Sequence, residues 1–444
     1  MNAFFIFGGK EIKSSKQILK KLTAFSVPLI LSGLLQQLFN WVDALIVGNI
    51  IGENALAGVG ATTSIYNLFV TVIVGFTSGL SVLFAQQYGR GERAKSTNLL
   101  ASFCIILSVG FTVVAVIGMV FTVPILNLMD TPKQLFDYAK VYLTAIFAGI
   151  PFLAVYNTYS AALRGMGNSK VPFVAVLISS VTNGVLDYVF IACCGFGVWS
   201  AATATVISQI AMTVYIVVYT VKKYPKMRFS LSCILKYGSL IKVGGKYAMP
   251  PAIQSGVTSV GNIFLQRFMN SFGQQTVSAV TTAYRVDSVL LLPIINFSTA
   301  ISTLVAQETG AGNSQTSKKI LRIGTILMSA MSVMLTVIII FTGKVLLTMF
   351  GLTVESVEIG DNFFKTISLF YIVYGVAMSI KGYLEGISDM LFSGIMGICS
   401  LCVRIICSYS FDGIFGNMVI AYAEAFSWIF LLAVFVLRCF IKKK

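Results

Sequence analysis

Residues 99–126 read LLASFCIILSVGFTVVAVIGMVFTVPIL, a run without one charged side chain. A helix needs about 20 predominantly apolar residues to cross the hydrocarbon core of a bilayer, and this stretch exceeds that. Apolar runs of the same kind recur on both sides of it, punctuated by Gly, Pro and charge. Six lie roughly at 24–51, 55–84, 99–126, 136–162, 171–194 and 197–221. Six more follow at 247–271, 277–306, 320–348, 363–384, 390–411 and 417–440. Of the 444 residues 57% are hydrophobic and only 11% charged, where a soluble chain carries about 25% charged residues. Too few ionic groups remain to coat water-facing domains. The expected fold class is an all-α polytopic membrane protein with twelve transmembrane helices.

The formal charge of +16 suggests a nucleic-acid partner until its distribution is mapped. With the N-terminus inside, 25 of the 32 Lys and Arg fall on cytoplasmic segments and four (Lys133, Lys140, Lys344, Lys365) on outer ones. Cytoplasmic loops hold the Lys/Arg excess, so both termini are expected in the cytoplasm, the protein multi-pass in the cell membrane, and no nucleic acid is called for. The lysine-rich N-terminal segment is expected to carry no removable signal peptide. The chain has no histidine, which excludes imidazole acid–base chemistry and Ser-His-Asp machinery. Cys399 and Cys402 form a CxxC without partner ligands, so no metal site is expected. No GxxxxGK[ST] motif occurs, and no nucleophile–base pair stands out. The protein is not expected to be an enzyme, and no cofactor is expected.

The two halves repeat at an offset of about 221 residues. Ala85-Gln86-Gln87-Tyr88-Gly89-Arg90-Gly91 aligns with Ala306-Gln307-Glu308-Thr309-Gly310-Ala311-Gly312. Leu163-Arg164-Gly165 meets Leu384-Glu385-Gly386, Gly52 meets Gly273, and Pro28 and Asn40 meet Pro250 and Asn262 with one residue of slip. Six spans per repeat insert both copies the same way, giving two pseudo-symmetric six-helix lobes, an arrangement of secondary transporters. The expected organisation is an N-terminal lobe over 1–221, a cytoplasmic connector over 222–246 and a C-terminal lobe over 247–444. The glycine pairs Gly89/Gly91 and Gly310/Gly312 read as helix ends with tight turns. Pro28 and Pro250 read as bends near equivalent helix starts.

Ionisable groups inside a bilayer are costly and usually mark a pathway. The first half places Asp43 in span one and Asp187 in span five, each about 11 Å below the outer end at about 1.5 Å per residue. Thr205 in span six falls at a similar depth. Gln36, Asn40 and Asp43 follow i, i+4, i+7 spacing, a polar stripe on one helix face. Asn183 and Asp187 are one turn apart, and Tyr142 and Asn157 lie in span four. Two readings stand. The groups line an outward-opening cavity that attracts cations, where desolvation penalises the charged carboxylate and lets protons compete with other cations. Or they join helices through interhelical hydrogen bonds. The second half carries Arg285, Asp287, Arg404 and Glu424 within its spans, opposite signs that read equally as an ion-pair network. At the positions of Asn183 and Asp187 it has Arg404 and Ser408, so the acid pair is not duplicated.

Several stretches together resemble the multidrug and toxic compound extrusion (MATE) family. They are Gln36 to Asp43-Ala-Leu-Ile-Val-Gly48, Leu163-Arg-Gly-Met-Gly-Asn-Ser169, and Val181-Thr-Asn-Gly-Val-Leu-Asp-Tyr-Val189. Gly197 to Ala204-Thr205, Ala283-Tyr-Arg-Val-Asp287 and Ala306-Gln to Gly310-Ala-Gly312 extend the likeness over roughly residues 15–440. The resemblance implies a secondary antiporter working by alternating access. It would export amphipathic, often cationic organic compounds or drugs in exchange for protons or sodium ions. It also implies a cation site formed by Asp43, Asn183, Asp187 and Thr205, and a substrate cavity lined by Gln36, Asn40, Tyr142 and Asn157. The acids that some relatives place on spans seven and ten have no counterpart here. The expected partners are small organic substrates, the coupling ion and membrane lipid, with the protein a monomer. The alternative within the superfamily is a flippase of lipid-linked precursors, whose anionic head groups would call for basic residues in the cavity.

Overall fold

The computed structural model describes residues 14–225 and 238–442, and the secondary structure there is helical throughout. Among the described residues, nine spans are long and apolar enough to cross a membrane as single helices. They are Ser15–Ile51, Glu53–Gly89, Lys95–Val120, Lys170–Cys193, Val198–Lys223, Gln274–Gly310, Ser314–Met349, Met390–Ser410 and Asp412–Ile441. Two more are bent pairs, Lys133–Phe147 with Ile150–Gly165 at 43° and Val354–Ser368 with Tyr371–Gly386 at 49°. The helix Gly238–Asn270, more polar than the others, completes twelve. In chain order these are spans one to six and seven to twelve.

The helices outrun the apolar runs. Span one is helical from Ser15 and span seven from Gly238 onward; in span one the added turns are rich in lysine, a good helix former. Pro28 and Pro250 consequently lie inside continuous helices rather than near their starts. Span three ends at Val120, and its last apolar residues form the separate short helix Thr122–Leu128. Of the connector, residues 226–237 lie outside the described residues.

The duplication is visible in the packing. In the first half span two lies on span four, span four on spans three and six, and span five on span six. In the second half spans eight, ten, nine, twelve and eleven repeat those pairings. The bends in spans four and ten fall at matching positions, Ala148–Gly149 and Leu369–Phe370. Pro151 removes a backbone donor at the first bend, whereas span ten bends without a proline. Gly91 and Gly312 close spans two and eight with φ of 74° and 81°, backbone that glycine adopts without steric cost.

The chain divides into two compact units, and the divisions fall inside helices. One unit comprises 31–252, the other 1–30 with 253–444. The first turns of span one thus pack with the second half: Ile18 and Leu22 join its core, Phe25 and Leu29 meet Ala300, and Lys21 Nζ donates to Gln307 Oε1 at 3.4 Å. The first turns of span seven pack with the first half. There Ala248 joins the core and Tyr247 donates its hydroxyl hydrogen to Gln86 Oε1 at 3.0 Å.

The repeated glycines explain themselves by contact. A Cβ on Gly165 would stand 2.6 Å from Phe84 Cβ and 2.9 Å from Ser81 O. One on Gly386 would stand 2.7 Å from Val305 Cβ and 2.8 Å from Ser302 O. Small residues let membrane helices approach backbone to backbone, here span four on span two and span ten on span eight. Between spans ten and eleven, Asp389 receives Arg438 Nε at 2.8 Å and Nη2 at 3.2 Å, with Lys442 Nζ at 3.0 Å. Burial pushes the Asp389 carboxyl up, but the two cations outweigh it and hold it below the usual carboxylate range.

Gly165→Leu and Gly386→Leu are each expected to sharply reduce monodisperse protein on fluorescence-detected size exclusion, whereas Gly413→Leu, in open space, leaves the yield unchanged. A carboxyl depressed in the folded state adds stability above its unfolded pKa and loses it as pH falls through the folded value. Asp389→Asn should therefore lower the thermal midpoint at neutral pH, by a loss of about 1 kcal/mol, since both cations are partly exposed. The gap to wild type should close in acid.

Candidate cation site in the first unit

Span one carries Asp43 four residues before its backbone widens into a π-helical stretch, Val47–Ile51. Span five does the same directly after Asp187, over Tyr188–Cys193. Each stretch closes with a bond reaching five residues back, Gly52 N to Val47 O at 3.2 Å and Cys194 N to Val189 O at 3.0 Å. The two stretches pack against each other and against span six. π-bulges are rare and frequent at functional sites. The corresponding helices of the second half, Gly238–Asn270 and Met390–Ser410, are α-helical throughout.

This arrangement sets the two acids face to face. The Asp43 and Asp187 side chains lie within hydrogen-bonding reach of one another, and no lysine or arginine among the described residues acts on either. Asp187 is fully buried and neither of its oxygens receives a donor; Asp43 is half-buried and its Oδ1 receives none. Tyr142, buried on span four, faces both carboxyls and lies beside Tyr66 of span two. Tyr66 in turn accepts a hydrogen bond from Gln209 Nε2 of span six at 2.7 Å. One turn from Asp187, Asn183 Nδ2 points to Thr205 Oγ1 at 3.5 Å, and that hydroxyl donates to Ala201 O at 3.1 Å. Two facing carboxylates without a fixed counter-charge cannot both remain ionised away from water. A shared proton or a small cation resolves the conflict, and oxygen donors suit hard ions.

Asn40 and Asn157, expected with Gln36 to line a substrate cavity, bond groups other than the acids. Asn157 is buried but donates along its own helix to Leu153 O at 2.9 Å. Gln36 and Asn40 are exposed on span one, and Asn40 donates to Gln37 Oε1 at 3.4 Å. Tyr66 and Gln209 were not singled out from the sequence. Each is a polar group in an otherwise apolar span, which was the available signal.

In the second unit Arg404 Nη2 bonds Glu424 Oε2 at 2.9 Å and the Tyr284 hydroxyl at 2.6 Å. Asp287 is buried and accepts from the Tyr371 hydroxyl. Arg285, expected to share in this network, is exposed and pairs with none of these groups. Residues 284 and 287 share a helix face, while 285 turns about 100° away from 284. A cavity of about 310 Å³ adjoins the ion pair, lined by Asn262, Gln266, Phe268, Tyr284, Arg404 and Glu424 among others.

The comparisons with known proteins agree with this architecture. The family model MatE matches residues 28–189 and 250–410, once in each half. The probable multidrug resistance protein YoeA of Bacillus subtilis is 29% identical over 408 residues, covering 88% of this chain and 86% of its own. The probable multidrug resistance protein NorM of Thermotoga maritima is 26% identical, over 84% and 81% of the two chains. Among solved structures, an outward-facing multidrug resistance MATE family transporter of the MOP superfamily superposes with a TM-score of 0.86. That match covers 98% of each chain at 19% identity, and it speaks for the fold.

Proposed function

The chain belongs to the MatE family, and from that premise we propose that it is a secondary active antiporter of the cell membrane. It exports amphipathic, often cationic organic compounds or drugs in exchange for protons or sodium ions. Both termini face the cytoplasm, in keeping with the Lys/Arg excess on the inner segments, and the protein works as a monomer. Relatives named as multidrug resistance proteins support the substrate class.

The observation that carries the reading is the facing pair Asp43–Asp187 with no fixed cation beside it among the described residues. Entry of a proton or sodium ion removes one of the pair's two negative charges, and its departure restores the more negative site that favours a cationic substrate. The two cargoes therefore compete for one charge, and that competition is what exchange requires: each shifts the equilibrium by its differential affinity for the two states. Asn183 and Thr205 supply further oxygens one turn away, and Tyr142 places a hydroxyl against both acids. Aromatic residues and methionines give adaptable apolar contacts to varied organic cargo. The pair suits a positively charged cargo rather than the anionic head group of a lipid-linked precursor.

Proteoliposomes with separately imposed pH and sodium gradients, loaded with ethidium as a cationic probe, test this. Asp43→Asn and Asp187→Asn are each expected to reduce gradient-driven transport to the level of protein-free vesicles while the protein still inserts and elutes as a single species. Wild-type rates from either variant, under the gradient that drives the parent, would remove the pair from the coupling mechanism.

A further inference from the structure

Four spans of the second unit converge on a charge imbalance. Asp287 on span eight and Glu424 on span twelve are both buried, and the cation facing them is Arg404 of span eleven. Glu424 takes the guanidinium directly, at 2.9 Å from Nη2. Asp287 receives no hydrogen bond from it and is met by the neutral hydroxyl of Tyr371 on span ten. The other titratable groups facing Asp287 are the phenols Tyr284 on its own helix and Tyr374 on span ten. Among the described residues, two carboxyls therefore stand against one fixed positive charge. A guanidinium shared between two ionised acids would bridge them; this one is committed to Glu424. A buried carboxylate left with a phenol alone is disfavoured away from water.

We propose that Asp287 is a second proton-binding site, separate from the Asp43–Asp187 pair and holding a proton whenever Arg404 is paired with Glu424. The proton resides on a carboxyl oxygen, and its exchange is simple ionisation in which no other covalent bond changes. A cavity of about 310 Å³ lined by Arg404, Glu424 and Tyr284 reaches the edge of the cluster, short of Asp287 itself. The site does not repeat the first. At the offset of the duplication Asp287 corresponds to Tyr66, and Arg404 and Ser408 correspond to Asn183 and Asp187. The inference is independent of the transport reading, since it concerns the other half of the chain.

The test is infrared spectroscopy of the full chain in lipid, with Asp43→Asn and Asp187→Asn already in place so that the first pair contributes nothing. At neutral pH the carbonyl band of a neutral carboxylic acid should remain, shift in deuterated buffer, and disappear on adding Asp287→Asn. Glu424→Gln should abolish the same band with Asp287 intact, because Arg404 then neutralises Asp287 directly. This second variant separates loss of the proton from loss of the side chain, and size-exclusion profiles confirm that each protein is folded. No neutral-acid band in the starting variant, a band that survives Asp287→Asn, or one removed by sodium or potassium at constant pH would each overturn the proposal. A purely structural ion-pair network produces the first of these results.

Discussion

Charge that enters a bilayer has to be answered by something, and in the first unit nothing permanent answers it among the described residues. Asp43 and Asp187 face each other within electrostatic reach of Tyr142, and no described lysine or arginine acts on either. In a soluble protein water would settle the matter. Here Asp187 is fully enclosed, and the reading proposed above answers its charge with a small mobile cation. The surrounding helices serve this one constraint. The widened turns after both acids bring spans one and five together, and span six closes against them.

The two units show how far a duplicated scaffold diverges in chemistry. Features that depend on shape are kept in both: the bends in spans four and ten, the glycine contacts at Gly165 and Gly386, and the order in which the spans pack. Features that depend on charge are not. Where the first unit has Asn183 and Asp187 the second has Arg404 and Ser408, and its acids are partly balanced by a resident guanidinium. Close helix packing tolerates few alternatives at a backbone contact, because a single added Cβ is felt at once. A polar position in a span is less constrained, provided its charge is met somewhere nearby.

Much of this was legible in one dimension. Span number follows from apolar run length against the thickness of hydrocarbon, and the repeat from the aligned Gln-Xaa-Xaa-Gly stretches. The common depth of Asp43, Asp187 and Thr205 follows from helical rise alone. What escaped were matters of azimuth and local winding. Arg285 turns away from the network that Asp287 joins, and spans one and five widen just past their acids. Tyr66 and Gln209 meet across spans two and six, 143 residues apart in sequence. The helical extensions from Ser15 and Gly238 carry lysines and lie outside the apolar runs, where run length carries no signal.

The linear chain by itself determined that this protein is a bundle of twelve membrane helices built twice over, because hydrophobic thickness and helical rise leave no other way to bury 444 such residues. Only the folded arrangement decided which polar groups meet. Whether two acids share a proton or each finds a cation depends on how helices rotate and where one turn widens. Those are settled by packing among distant spans and leave no mark on the order of residues.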